Sequence, residues 1–143
     1  MRRNRLAPAL LVFLLALMSG CRGSTDPNPL VGTWLPSTFL VTPAGQGQKN
    51  VLTAGGTLGV NIVQIDSTFL ATGTVLLPAS VTGGAAFTAS LAGPATESGS
   101  TVRFVTTADS FVRDLVFTLV ENRLEAVNQV VAGTTYEIVL TRQ

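Results

Sequence analysis

The sequence predicts an all-β fold, an antiparallel up-and-down meander of about eight strands closed into a small barrel. From Leu30 onward, no stretch of useful length shows the apolar periodicity of a helix. Nineteen Thr and sixteen Val supply more than a quarter of the 122 residues after Cys21, and both side chains are β-branched and fit a pleated sheet. Breaks that contain Gly, Pro or Asn recur every 8–15 residues, which is typical of short strands joined by turns.

Each strand is placed where apolar and polar residues alternate between two breaks. The predicted strands span residues 30–41, 57–65, 68–77, 85–92, 100–107, 113–121, 123–131 and 134–142. Tight turns are predicted at Asp66-Ser67, Glu121-Asn122-Arg123 and Ala132-Gly133. Longer loops are predicted at Gln46–Gly56, Pro78–Gly84 and Gly93–Ser100.

Consecutive hairpins with one apolar face favour a closed barrel over an open sheet. Closure buries the apolar face and removes both unpaired edges of the sheet. A β-sandwich remains an alternative, because strand number does not separate it from a small barrel. A membrane-spanning barrel, with an apolar exterior and a polar lumen, is the second alternative.

The N-terminal segment has the pattern of a secretion signal. Three Arg residues within positions 2–5 precede the 13-residue apolar run Leu6–Met18, which is shorter than the roughly 20 residues that span a bilayer. The following Ser19-Gly20-Cys21 resembles the bacterial lipobox, and this resemblance implies cleavage before Cys21 and lipidation of its thiol. We therefore predict a signal peptide at 1–20, a lipidated Cys with a polar tether at 21–29, and a barrel domain at 30–143.

The predicted mature chain is a membrane-anchored protein of the bacterial cell envelope. The tether of eight residues after Cys21 reaches at most about 26 Å. Residue 22 is Arg and not the Asp that commonly retains lipoproteins at the inner membrane, so the outer membrane is favoured, on its periplasmic or surface face. Residues 22–143 hold six basic and eight acidic side chains, a net charge of −2, which gives no basic surface for nucleic acid.

The composition argues against an enzyme. The chain has no His and a single Cys, so it lacks the commonest general base, an internal disulfide and a thiolate metal cluster. The acid pairs Asp109/Asp114 and Glu121/Glu125 are interpreted as solvated charges of turns and strands. We therefore predict no catalytic residue, no metal site and no cofactor.

Two short motifs at opposite ends of the barrel domain carry a family resemblance. Gly32-Thr33-Trp34 resembles the Gly-x-Trp motif of lipocalins, and Tyr136 to Arg142 resembles the last strand of the short bacterial lipocalin-like lipoproteins. The resemblance implies that Trp34 plugs the closed end of the barrel and that Arg142 lies across its ring. Closure gives the same expectation, because an antiparallel last strand ends beside the start of the first.

Five aromatic residues are candidates for the interior of the barrel: Phe69, Phe87, Phe104, Phe117 and Tyr136. An eight-stranded barrel is either just filled by side chains or holds one small ligand. A pocket would make the protein a carrier of an apolar or amphipathic small molecule. A filled interior would instead indicate an interaction or inhibitor module that contacts an unknown protein partner through its loops.

Overall fold

The computed structural model describes residues 28–106, 108 and 110–143. This part of the chain forms nine β-strands and two helices of a single turn. The strands are β1 (Gly32–Thr42), β2 (Lys49–Asn50), β3 (Thr57–Ile65), β4 (Thr68–Leu77), β5 (Phe87–Ser98), β6 (Thr101–Phe104), β7 (Phe117–Val120), β8 (Arg123–Val131) and β9 (Thr134–Arg142). The helices are α1 (Ala79–Thr82), between β4 and β5, and α2 (Phe111–Asp114), between β6 and β7.

The sheet is a closed antiparallel barrel of eight strands, with β2 as one additional strand. Each strand from β3 to β9 pairs with the next along the chain, and β1 pairs with both β3 and β9. The β1–β9 pairing joins the first long strand to the last, so both edges disappear. The predicted all-β meander and its closure are confirmed, and the β-sandwich is excluded.

The segment predicted as the loop Gln46–Gly56 contributes to closure. β3 pairs only with the first residues of β1, with Trp34 opposite Val60. Farther along β1, β2 takes over, with Leu40 opposite Asn50. The N–H of Val51 extends this pairing to the carbonyl of Phe39 at 2.9 Å. The segment therefore supplies backbone hydrogen bonds to the part of β1 that is not paired with β3.

The apolar side chains that alternate along the strands face inward and fill the centre of the barrel. The largest fully buried ones are Trp34, Phe39, Phe104 and Phe117. A Cβ at Gly73, on the inward face of β4, would overlap the backbone of Gly59 on β3. Glycine thus allows the two strands to approach closely there, as at tight bends of small barrels.

The two ends of the barrel differ in their connections. At one end, called the closed end, the start of β1 meets the end of β9, and the chain turns tightly at Asp66 and Glu121. At the opposite end, called the mouth, lie α1, α2, the β8–β9 turn and the β1–β2 connection. The longer connections at the mouth surround a recess there, and a separate cleft lies on the side of the barrel between Ser67 and Glu97.

The prediction for the fourth strand was too short, and the predicted loop Gly93–Ser100 is mostly strand. β5 continues through Pro94, which lies opposite Leu70 on β4. The Pro94 carbonyl accepts the N–H of Val105 at 2.8 Å, just beyond the end of β6. Because the N–H and C=O of a strand residue point to the same side, the missing proline N–H faces the end of β6 and leaves the β4 ladder intact.

The predicted strands 100–107 and 113–121 are also too long. β6 ends at Phe104 and β7 begins only at Phe117, and α2 lies between them. Phe111 and Leu115 are buried, whereas Asp114, which lies between them in the sequence, is exposed. A single helical turn places residues four apart on one face, as does strand alternation, so the pattern could not reveal the helix.

Candidate functional site at the mouth

A cavity of about 350 Å³ opens at the mouth of the barrel. Its walls come from the end of β4, from α1, from the start of β5, from α2 and from the β8–β9 hairpin. A second recess of about 190 Å³ adjoins it and shares Leu77, Thr82, Thr134 and Tyr136. The residues of these connections therefore form one continuous depression above the filled core.

Three aromatic rings from three elements line this cavity, and a fourth ring, that of the buried Phe39, packs against one of them. The rings of Phe111 and Tyr136 stack with their centroids 4.5 Å apart and an interplanar angle of 9°. Phe39 and Phe87 flank Phe111 with centroids at 6.1 and 6.2 Å. Such offset and tilted ring pairs stabilise beyond the area they bury. We call these four residues the aromatic floor.

Three kinds of polar group border the aromatic floor. Burial raises the pKa of the Tyr136 phenol, and a hydrogen bond with the Thr134 side chain partly offsets this rise. Asp114, on the outer rim, lies 3.0 Å from the guanidinium Nε of Arg113. The hydroxyl of Ser110 is buried and has no hydrogen-bond partner in the part of the chain that the structure describes. The cavity is thus apolar at its base and polar at a few points on its wall.

A side-chain amide fixes the segment that follows α2. The Gln129 side chain on β8 accepts the N–H of Val116 at Oε1 with a distance of 2.8 Å, and its Nε2 donates to the carbonyl of the same residue. The amide thereby replaces the backbone partner that a neighbouring strand would offer. Val116 lies two residues after the end of α2, so this pair anchors the chain where it leaves α2.

The structure brings together two of the five predicted interior aromatics at the cavity. Phe87 and Tyr136 line it. Phe104 and Phe117 instead pack edge to face in the filled core, with centroids 5.3 Å apart. Phe69 is half-buried in a separate cleft beside Pro94. The five residues are therefore spread over three places, because strand alternation specifies the inward face but not the height along the barrel axis.

Sequence reasoning did not assign Phe39 or Phe111 to this aromatic cluster, in which Phe111 lines the cavity and Phe39 packs against it. Phe39 lies in a predicted strand and faces inward in phase with Val41. The alternation of apolar residues along this strand could therefore have placed Phe39 in the interior. Phe111 stands on α2, outside every predicted strand, and no pattern in the sequence indicates its stacking on Tyr136.

The two residues that the sequence predicts as a closing pair lie directly opposite each other at the closed end of the barrel. Trp34 on β1 is the partner of Arg142 on β9. The indole Nε1 of Trp34 donates to the carbonyl of Leu30 at 2.9 Å, and Nη1 of Arg142 donates to the carbonyl of Pro29 at 3.1 Å. Both side chains thus secure the turn before β1. The stacking of the guanidinium on the indole face stays a prediction.

Other predicted positions lie outside the described residues or form simple surface pairs. Cys21 and Asp109 fall outside the described ranges. Glu125 forms a salt bridge with Arg123, with 3.1 Å between Oε1 and Nη2.

Within residues 28–106, 108 and 110–143, no cluster of three or more His, Cys, Asp or Glu residues could hold a metal ion. In the same part of the chain, no helix has the length and apolar character needed to cross a bilayer.

Comparison of the chain with protein-family models, curated proteins and solved structures gives no match.

Proposed function

We propose that this protein is a lipid-anchored, lipocalin-like binding protein that holds an apolar or amphipathic small molecule at the mouth of its barrel. The observation that carries the proposal is the cavity of about 350 Å³ above the aromatic floor. Small-molecule sites are typically concave, mostly apolar, and roughly 300–1,000 Å³ in volume. The cavity lies near the lower limit of that range, so its ligand is small.

The packing of the barrel supports a ligand at the mouth and not in the centre. Phe104 and Phe117 occupy the middle of the interior and are fully buried. A ligand can therefore enter only as far as the aromatic floor. Aromatic faces in this position offer apolar contact and stacking without any catalytic group.

The membrane anchor is the second part of this proposal, and it rests on the lipobox-like Ser19-Gly20-Cys21. The described chain enters the barrel at the closed end, through Pro29 and Gly32. A short tether from this end would leave the mouth facing away from the bilayer. We expect Cys21→Ser to abolish acylation and either to release the protein from membranes or to block its processing, and mass spectrometry that finds an unmodified Cys21 in a longer mature chain would contradict the anchor.

Binding at the mouth is tested with the apolar fluorescent probe N-phenyl-1-naphthylamine and two matched variants. Val131 lines the cavity, whereas its neighbour Val130 on β8 is 66% exposed on the outer surface. Val131→Trp should fill the cavity and lower probe affinity at least tenfold, and Val130→Trp should bind as the wild type does. Absence of saturable binding to the wild type, or equal binding to both variants, would contradict a ligand site at the mouth.

The filled centre of the barrel favours a second candidate function, an interaction module for a protein partner. In that case, the connections at the mouth would contact the partner and the aromatic floor would only stabilise them. The probe experiment separates the two, because a module predicts no saturable probe binding to the wild-type protein.

A further inference from the structure

Ser110 is a polar residue in an unusual position on the cavity wall. It is 4% exposed, it lines the cavity, and its Oγ has no hydrogen-bond partner among the described residues. Buried hydroxyl groups are nearly always hydrogen-bonded, because an unpaired one loses its water without compensation. Because Ser110 lines the cavity, a ligand there is a candidate partner for this hydroxyl.

No hydrogen bond within the described residues gives the Ser110 hydroxyl a structural role. Ser110 precedes α2 as its N-cap residue, a position where Ser commonly accepts a backbone N–H, yet its side chain makes no capping hydrogen bond. The neighbouring polar groups are engaged elsewhere. The Thr82 hydroxyl donates to the carbonyl of Ala85 at 2.8 Å, and the Tyr136 hydroxyl is paired with Thr134.

We propose that the mouth selects a flat, uncharged ring compound that carries a hydroxyl or carbonyl group, and that Ser110 binds this group. This inference rests on the proposed function of the cavity. The nearly parallel rings of Phe111 and Tyr136 present a flat apolar surface, which favours a planar ligand. In this proposal the Ser110 side chain rotates about χ1 so that its Oγ faces the ligand, and a hydroxyl either donates or accepts.

The charges at the site favour an uncharged ligand. Asp114 is the one ionisable residue besides Tyr136 on the described wall of the cavity, and its carboxylate is paired with Arg113. A ligand carboxylate would meet this acid without a basic side chain on the described wall to neutralise it. A ligand ammonium would have to compete with the guanidinium of Arg113.

The test compares two probes of similar shape in the purified full chain by isothermal titration calorimetry. The first, 2-naphthol, carries a hydroxyl, and the second, 2-methylnaphthalene, carries a methyl group in its place. We expect the wild type to bind 2-naphthol more tightly. Ser110→Ala should weaken 2-naphthol binding by roughly 3–10-fold, the loss of one neutral hydrogen bond, and should leave 2-methylnaphthalene binding unchanged.

The control is Ser80→Ala, which removes an exposed hydroxyl from α1 and should affect neither probe. Ser110→Ala should fold at least as well as the wild type, since it removes an unpaired buried group. If both probes bind but Ser110→Ala changes neither or both affinities equally, the role of Ser110 is overturned while the cavity function stands. If neither probe binds the wild type, the proposed function fails, and this inference fails with it.

Discussion

Gly32 shows at the scale of one residue how the closed end depends on a missing side chain. Its φ is +144°, and a Cβ at this position would lie 3.0 Å from Cδ of Arg142. The lack of a side chain thus lets Arg142 cross β1 and reach the carbonyl of Pro29. The Gly-x-Trp spacing in the sequence pointed to this position, and the structure gives its physical reason.

We expect Gly32→Ala to lower the free energy of unfolding by about 1–3 kcal/mol, because it adds backbone strain and displaces Arg142. Chemical denaturation, followed through the fluorescence of the single buried Trp34, measures the change. Gly59→Ala is the matched control, since its Cβ would meet only the end of the Leu35 side chain at an ordinary 3.6 Å. Equal stability of the two variants would contradict a special role for Gly32.

Burial of the Tyr136 phenol should make the stability of the protein fall at high pH. Burial raises the pKa of its phenol above that of the unfolded chain, about 10. Below pH ~10, both states are neutral and this contribution to stability is fully present. As the pH rises further, the unfolded chain ionises first and stability falls through the folded pKa.

We therefore expect the phenolate absorbance of this single tyrosine to appear at higher pH in the native protein than in denaturant. Tyr136→Phe should lose stability less steeply above pH ~10, because it has no phenol to ionise. Identical titration midpoints in the native and denatured chains would show that the phenol is not buried.

At the scale of elements, the sequence predicted hairpins well and irregular features poorly. The strands 57–65, 68–77, 123–131 and 134–142 have the predicted bounds, because their turns contain residues that accept positive φ, among them Asp66 and Gly133. The register shift between Ala126 and Gln129 on β8 was not predictable, because a bulge leaves the residue types of a strand unchanged.

This bulge has a consequence for the candidate site. Asn128 has a φ of +55°, and beyond it the inward alternation shifts by one residue. Val131 thereby reaches the cavity and the Gln129 side chain reaches Val116. α2 itself is a single turn, too short for a helical period to be visible. The sequence therefore predicted the barrel but not the wall of its mouth.

We expect Gln129→Ala to destabilise the protein by about 1–3 kcal/mol, because it leaves the half-buried N–H and C=O of Val116 unpaired. Probe binding should weaken as well, since the pair positions α2. Gln64→Ala is the matched control: it removes an amide that donates an exposed hydrogen bond to the Asp66 carbonyl, and it should change stability by less than about 0.5 kcal/mol. Full retention of stability and probe binding by Gln129→Ala would contradict the positioning role.

At the scale of the whole molecule, closure follows from general physical requirements. A meander with one apolar face and two long terminal strands gains backbone hydrogen bonds and loses its edges when β1 meets β9. The location of a cavity does not follow in this way. It depends on which side chains reach each height of the interior, and Phe104 and Phe117 happen to fill the middle.

The most direct measurement is the mapping of backbone amide NMR shifts during titration with N-phenyl-1-naphthylamine. Saturable shifts are predicted at the mouth, for the amides of Thr82, Phe111 and Thr134. The amide signals of Thr33 and Gln143 should not move, because both residues lie at the closed end, where the N–H of Gln143 donates to the carbonyl of Thr33. Shifts confined to the closed end, or no saturable shifts at all, would contradict a ligand site at the mouth of this barrel.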